Sequence, residues 1–187
     1  MTNRRYAFFL LARSVFTFVN RAIPKRVTNW IHVIVDLVRC ARWGAHLKAF
    51  GRGSYIHPNV VIHGADNVEI GAFVSIGEFS YIWGNGGVFV GDNTLIAAGC
   101  QITTLSHDEN ALIYRDSIKS ARVILGNNVW LGFGVRVMPG VSIGDNSIIG
   151  AGSVVTKDVP ANVVAMGSPA KAVRALAQHS LAPSELV

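Results

Sequence analysis

The chain has 187 residues, half of them hydrophobic and 15% charged, enough apolar material for a sizeable core and too much for a disordered polymer. Its net charge of +6 is uneven: residues 1–50 hold nine Lys or Arg against the single acid Asp36, whereas the remainder has eight basic and ten acidic residues. That imbalance argues against a nucleic-acid surface along the whole chain, and the two cysteines, Cys40 and Cys100, are too few for a disulfide framework and fit a reducing compartment.

In chain order, Tyr6 to Val19 is apolar but interrupted by Arg13, lacks a small-residue cleavage site, and falls short of the ~20 residues that span a bilayer. A second apolar stretch, Trp30 to Val38, carries His32 and Asp36. Both read as amphipathic helices separated at Pro24, making residues 1–53 a basic helical segment. Two uses fit it. It can cap the domain that follows, or residues 1–50 can lie peripherally on an anionic membrane, aromatics at the headgroup boundary and cations toward lipid. The expected location is cytoplasmic, at the inner face of the membrane if the second use holds.

Beyond residue 53 the hydrophobic pattern has neither the helical period nor the alternation of an ordinary strand. From Leu125 an aliphatic residue recurs every six positions: Leu125, Leu131, Val137, Ile143, Ile149, Val155. The fourth residue after each is small or β-branched (Val129, Val135, Val141, Ser147, Ser153), and Gly, Asn and Asp supply turns at the expected corners. Upstream, Ile56, Ile62, Ile70, Ile76, Ile82, Val90, Ile96 and Ile102 follow the same rule with two gaps of eight. Such a period predicts an all-β solenoid over residues 54–168, in which each short strand is followed by a turn and coils stack on one another. Ile102 to Leu125 is no multiple of six, so residues 103–122 are predicted to loop out. Ser168-Pro169 reads as a helix start, giving a C-terminal helix and tail over 169–187.

Residues from about Ile56 to Arg174 resemble the hexapeptide-repeat acyltransferases, most closely the branch of maltose, galactoside and polysaccharide O-acetyltransferases. The markers are Ile124-Leu-Gly-Asn-Asn-Val-Trp-Leu-Gly132, Ile149-Gly-Ala-Gly-Ser-Val-Val-Thr-Lys-Asp-Val-Pro160 and Gly167-Ser-Pro-Ala-Lys171. The resemblance implies a left-handed parallel β-helix, a homotrimer, and acetyl-CoA as co-substrate. It also implies that His107, in Thr103-Thr-Leu-Ser-His-Asp-Glu-Asn110, is the catalytic base, a role suited to an imidazole near neutral pH. Carried over residue by residue, Ala151 meets the pantetheine arm, Thr156 and Lys157 lie near the phosphates, and Lys171 and Arg174 reach the nucleotide phosphates. Lys171 stands where the sugar branch commonly has Arg, and Phe133 where a small residue is usual. Asn85, in Trp83-Gly-Asn-Gly-Gly87, is the candidate for the acceptor sugar.

The implied reaction is direct acetyl transfer from acetyl-CoA to a hydroxyl of a saccharide, on a surface polysaccharide, a glycan or a lipid-linked precursor. Cys100 is not taken as a nucleophile, because it occupies an inward position of the repeat. Asp108 is open between orienting His107 and being a surface charge. The alternatives are N-acetylation of a nucleotide-linked amino sugar and a non-catalytic structural β-helix subunit. No metal is expected: His57 and His63, six apart, fall on different faces, and no His-x4-His pair occurs.

Overall fold

The computed structural model describes residues 25–177. The chain divides into two compact units, Met1–Arg39 and Cys40–Val187. A single helix, α1 (Lys25–His46), covers the second of the two expected helical stretches; the first, Tyr6 to Val19, lies outside the described residues. No helix among the described residues is long and apolar enough to cross a membrane.

From Ala49 onward the backbone is a parallel β-solenoid of three faces, its strands mostly two or three residues long. The first face stacks Ala49–Phe50, Val68–Ile70, Val88–Val90, Val123–Leu125 and Ser142–Ile143. The second stacks Tyr55–Ile56, Ser75–Ile76, Leu95–Ile96, Trp130–Leu131, Ile148–Ile149 and Val163–Gly167. The third stacks Val61–His63, Tyr81–Trp83, Gln101–Thr103, Arg136–Val137 and Val154–Val155. The first coil therefore begins at Ala49, ahead of the boundary expected at 54.

The six-residue aliphatics form the axis of the core. Leu125, Leu131, Val137, Ile149 and Val155 are completely enclosed, as are Ile56 and Ile76 upstream. The fourth-position residues Val129, Val135, Val141, Ser147 and Ser153 are buried with them. Each enclosed Leu or Ile contributes about 1.5–3 kcal/mol relative to exposure. A polar replacement in any coil would leave its neighbours above and below facing a cavity or an unpaired group.

From Leu125 on, a glycine follows four of the six aliphatics (Gly126, Gly132, Gly144, Gly150), and stacking requires it. A Cβ on Gly126 would sit 2.2 Å from Asp145 Oδ1, and one on Gly144 would sit 2.5 Å from the Ala161 nitrogen. The left-handed corner conformation falls to asparagines: Asn128, Asn146 and Asn162 have φ of 52°, 57° and 60°. Their side chains form a ladder, Asn128 Nδ2 donating to Asn146 Oδ1 (3.0 Å) and Asn146 Nδ2 to Asn162 Oδ1 (3.2 Å). Asp145 Oδ1 accepts the Asn127 N–H and Asp158 Oδ1 the Ser142 N–H, clamping each coil to the next.

Both gaps of eight and the long interruption fall at the same corner, between the third and first faces. The first gap is a short 3₁₀ turn, Ala65–Asn67, and the second a turn closed by the Gly87 N–H on the Gly84 carbonyl. At the third coil the chain leaves as an antiparallel ribbon, Leu105–His107 against Ile118–Ser120, before rejoining at Val123.

The expected C-terminal helix is not formed. Ala170–Ala175 is a strand, antiparallel to Val163–Gly167, and Ser168-Pro169 is a cis turn between them. The reason is local context. Val163–Gly167 completes the second face on Ile148–Ile149, leaving a row of open backbone groups that the next six residues pair with. That ladder outweighs the helix propensity of an Ala-rich segment, which is a weak preference.

Candidate active site

His107 ends the outgoing strand of the extruded ribbon, and its side chain is exposed. The ribbon tip turns back through the 3₁₀ turn Tyr114–Asp116, which brings the Tyr114 carbonyl onto His107 Nδ1. A carbonyl only accepts, so Nδ1 carries the proton and Nε2 of the neutral ring keeps a free lone pair. The same carbonyl accepts from the Ser117 hydroxyl (2.9 Å) and the Ser117 N–H (3.1 Å), which fixes the turn. The imidazole is thus oriented by a backbone group from across the ribbon.

Asp108 does not face the imidazole. Its Oδ1 accepts the Asn110 N–H (3.1 Å) and its Oδ2 pairs with Lys119 (3.2 Å) on the returning strand. The Asn110 hydrogen bond, followed by Lys119, holds the Asp108 carboxyl below the usual range. At the base of the ribbon Arg122 reaches Glu69 (3.2 Å), which also pairs with Lys48 (2.9 Å), tying the returning chain to the second coil.

Asn85 sits in the corner immediately beneath this base. Gly86 N–H donates to Thr104 Oγ1 (2.8 Å), and a Cβ on Gly86 would meet those of Ser120 and Thr104 at 3.0 Å. Asn85 is exposed, and its carbonyl lies 3.5 Å from Asn67 Nδ2. The structure therefore brings the Asn85 corner and the root of the His107 ribbon together.

The proposed cofactor residues gather at the C-terminal coils. Ala151 occupies the corner between the second and third faces, and Thr156 and Lys157 the next corner along the same coil. The hairpin folds over the first of these corners: Gly167 N–H donates to Ser153 Oγ (3.0 Å), and Met166 covers Gly150. Lys171 pairs in register with Met166, and Arg174 with Val164, the register shifting between Val164 and Ala165. The extra residue, Val173, is a bulge, and it puts Lys171 and Arg174 on the same side of the hairpin despite their spacing of three. All five residues are exposed, and among the described residues none of the three cations has a carboxylate partner. Phe133 lies in the corner below Ala151, 66% exposed, with its ring leaning over Gly99.

Cys100 is buried, donating to the Gly132 carbonyl (3.2 Å), and burial pushes its thiol pKa up. It is in no position to act as a nucleophile. A hollow of about 580 Å³ lies on the first face between Ile124 and Ala161, and its two carboxylates, Asp145 and Asp158, already serve as backbone clamps.

Two parts of the site have no residue-level signature. The Tyr114 carbonyl is a main-chain group, and only the turn geometry presents it. The Lys119–Asp108 pair requires the ribbon register to be known.

The three-faced solenoid with its histidine-bearing ribbon has counterparts among known transferases. Residues 122–157 match the family model described as bacterial transferase hexapeptide (six repeats). The galactoside O-acetyltransferase of Escherichia coli K12 is 39% identical over 125 residues, which are 66% of this chain and 62% of that protein. A maltose O-acetyltransferase structure from Clostridium difficile 630 superposes with a TM-score of 0.69 at 32% identity, covering 73% of each chain. A hexapeptide-repeat acetyltransferase of Vibrio cholerae O1 biovar eltor, complexed with acetyl coenzyme A, gives 0.73 at 26% identity, covering 76% of this chain and 78% of that one. The chain belongs to the hexapeptide-repeat acetyltransferase family. It spans less than two thirds of the length of the E. coli enzyme.

Proposed function

We propose that the protein transfers an acetyl group from acetyl-CoA to a saccharide hydroxyl, directly and without a covalent enzyme intermediate. The observation that carries the reading is the Nδ1–H contact of His107 with the Tyr114 carbonyl, which leaves Nε2 as an oriented base on an exposed ribbon. Acetyl-CoA supplies the thioester. Nε2 takes the acceptor hydroxyl proton as that oxygen bonds to the thioester carbonyl carbon. When the C–S bond breaks, the same nitrogen returns the proton to the departing sulfur. Ala151, whose side chain adds only a methyl at its corner, would admit the pantetheine arm. Thr156, Lys157, Lys171 and Arg174 would hold the phosphates, the three cations having no carboxylate partner among the described residues. The saccharide class rests on the galactoside and maltose enzymes among the relatives. Asn85, beside the ribbon root, would bind an acceptor hydroxyl.

The active species in this reading is a homotrimer in which the ribbon serves a neighbouring subunit's cleft. Leu112, Ile113, Tyr114 and Ile118 on the ribbon are all more than half exposed in the protomer, apolar surface that a second copy would cover. The reading also places the protein at an anionic membrane face through residues 1–50, where a lipid-linked acceptor would be met. Incubating the full chain with acetyl-CoA and a panel of oligosaccharides, and reading each for an acetyl mass shift, tests the activity. If acetyl-CoA is bound but no saccharide gains mass, the acceptor class is wrong.

A further inference from the structure

The corner between the second and third faces recurs coil after coil, and backbone hydrogen bonds stack it into a column. Gly152 N–H donates to the Phe133 carbonyl (2.8 Å), Gly134 N–H to the Ala98 carbonyl (3.1 Å), and Gly99 N–H to the Glu78 carbonyl (2.9 Å). Ala151, Phe133 and Ala98 therefore take equivalent places in the fifth, fourth and third coils. The two alanines carry a methyl there; Phe133 carries a ring, and the residue is 66% exposed.

Space along this column is uneven. A Cβ on Gly152 or Gly134 would meet nothing within 4 Å, whereas one on Gly99 would meet the Phe133 ring at 3.7 Å. The ring thus hangs from the fourth coil over the corner of the third, leaving the column open above it and closed below. Its position lies on the path of the acyl donor. The candidate phosphate-binding residues stand at the fifth coil and its hairpin, and the His107 ribbon leaves the third coil after Thr103. An arm that passes Ala151 must bring its thioester down toward the level of the base, about two coil spacings of ~4.8 Å. Phe133 is the corner residue between those levels. A small acyl group fits the open recess beside Gly134, and a longer one runs into the ring.

We infer that Phe133 sets the length of the transferred acyl group, its ring closing the corner so that acetyl is accepted and chains of four carbons or more are rejected. The inference rests on the acetyl-transfer reading and deepens it, giving selectivity to a residue with no part in proton transfer or phosphate binding. The ring offers the acetyl methyl an apolar wall and no competing hydrogen bond. A methyl in its place would continue the open column from Gly152 down to Gly99. Because the side chain stands outside the core, replacing it leaves the packing of the coils intact.

The test is calorimetric titration of the full-length wild-type, Phe133→Ala and Phe133→Tyr proteins with acetyl-CoA and butyryl-CoA, with sedimentation in parallel. The wild type should bind acetyl-CoA at least ~10-fold more tightly than butyryl-CoA, the scale on which a pocket rejects misplaced methylenes. Phe133→Ala should bring the two to within about 3-fold by gaining affinity for butyryl-CoA, with acetyl-CoA affinity nearly unchanged. Phe133→Tyr keeps the ring and should discriminate as the wild type does. Equal binding of both donors by the wild type, or undiminished discrimination in Phe133→Ala, overturns the inference and leaves acetyl transfer standing. Loss of assembly in Phe133→Ala overturns it as well, because the ring would then be a subunit contact. Failure of the wild type to bind either donor removes the transfer reading itself.

Discussion

At His107 the proposed chemistry turns on which ring nitrogen holds the proton, and the Tyr114 carbonyl favours Nδ1. A carboxylate in that place would stabilise the protonated ring more strongly; a neutral carbonyl orients the imidazole without adding a charge beside it. Asp108 instead fastens the ribbon through the Asn110 amide and Lys119. Its pKa is depressed in the folded ribbon, so its contribution is complete above the ordinary Asp range and is lost as pH falls through the lower folded value. The Asn110 amide shift, followed by NMR, should therefore stay constant from neutral pH to ~5 and titrate only below the ordinary Asp value of about 3.9. A midpoint above that value would show that the carboxylate gains nothing from the ribbon.

At the scale of elements, α1 carries Trp30, Val33, Ile34, Leu37 and Val38 open to solvent, a stripe of helical spacing. Together with the basic excess of residues 1–50, it suits the surface of an anionic bilayer. Full-length protein should sediment with phosphatidylserine vesicles at low salt, release as salt screens the attraction, and lose binding in a Trp30→Glu, Ile34→Glu variant. No sedimentation at low salt would leave the segment as a cap alone. The coils themselves are legible in sequence because every inward position is sterically constrained: Ile149 or Val155 has no substitute that fills the axis without a void or a clash. The ribbon is legible as a break in that period, and the structure places His107 on it. The terminal strand is not, because Ala170 to Ala175 has no inward constraint and takes its conformation from the sheet edge beside it. The glycines that follow an aliphatic, Gly126 and Gly144 among them, are legible as special residues but for a different reason than turn formation, since the neighbouring coil excludes a Cβ. The Tyr114 carbonyl depends on how the ribbon folds back on itself, which a single strand's pattern does not contain.

For the whole molecule, the separation of parts argues for assembly. The proposed base stands on a ribbon leaving the third coil, and the candidate phosphate-binding cations stand at the last coil and its hairpin. If a cleft combines the ribbon of one subunit with the C-terminal corner of another, two differently damaged chains can complement each other. Mixing His107→Ala chains with Lys157→Ala, Arg174→Ala chains, after dissociation and reassembly, should recover part of the activity that neither has alone. Complete inactivity of the mixture, or full activity in a sedimenting monomer, would assign the whole site to one chain.

The most direct test of the account is single-turnover acetyl transfer by wild-type and His107→Ala protein to an acceptor identified by mass shift, with acetyl-CoA affinity measured in parallel. Loss of the positioned base should slow transfer by ~10²-fold or more. Acetyl-CoA affinity should be nearly unchanged, because its proposed contacts lie on other coils. Near-normal transfer by the variant would contradict the account, and the proton would then have to be taken by a group other than His107.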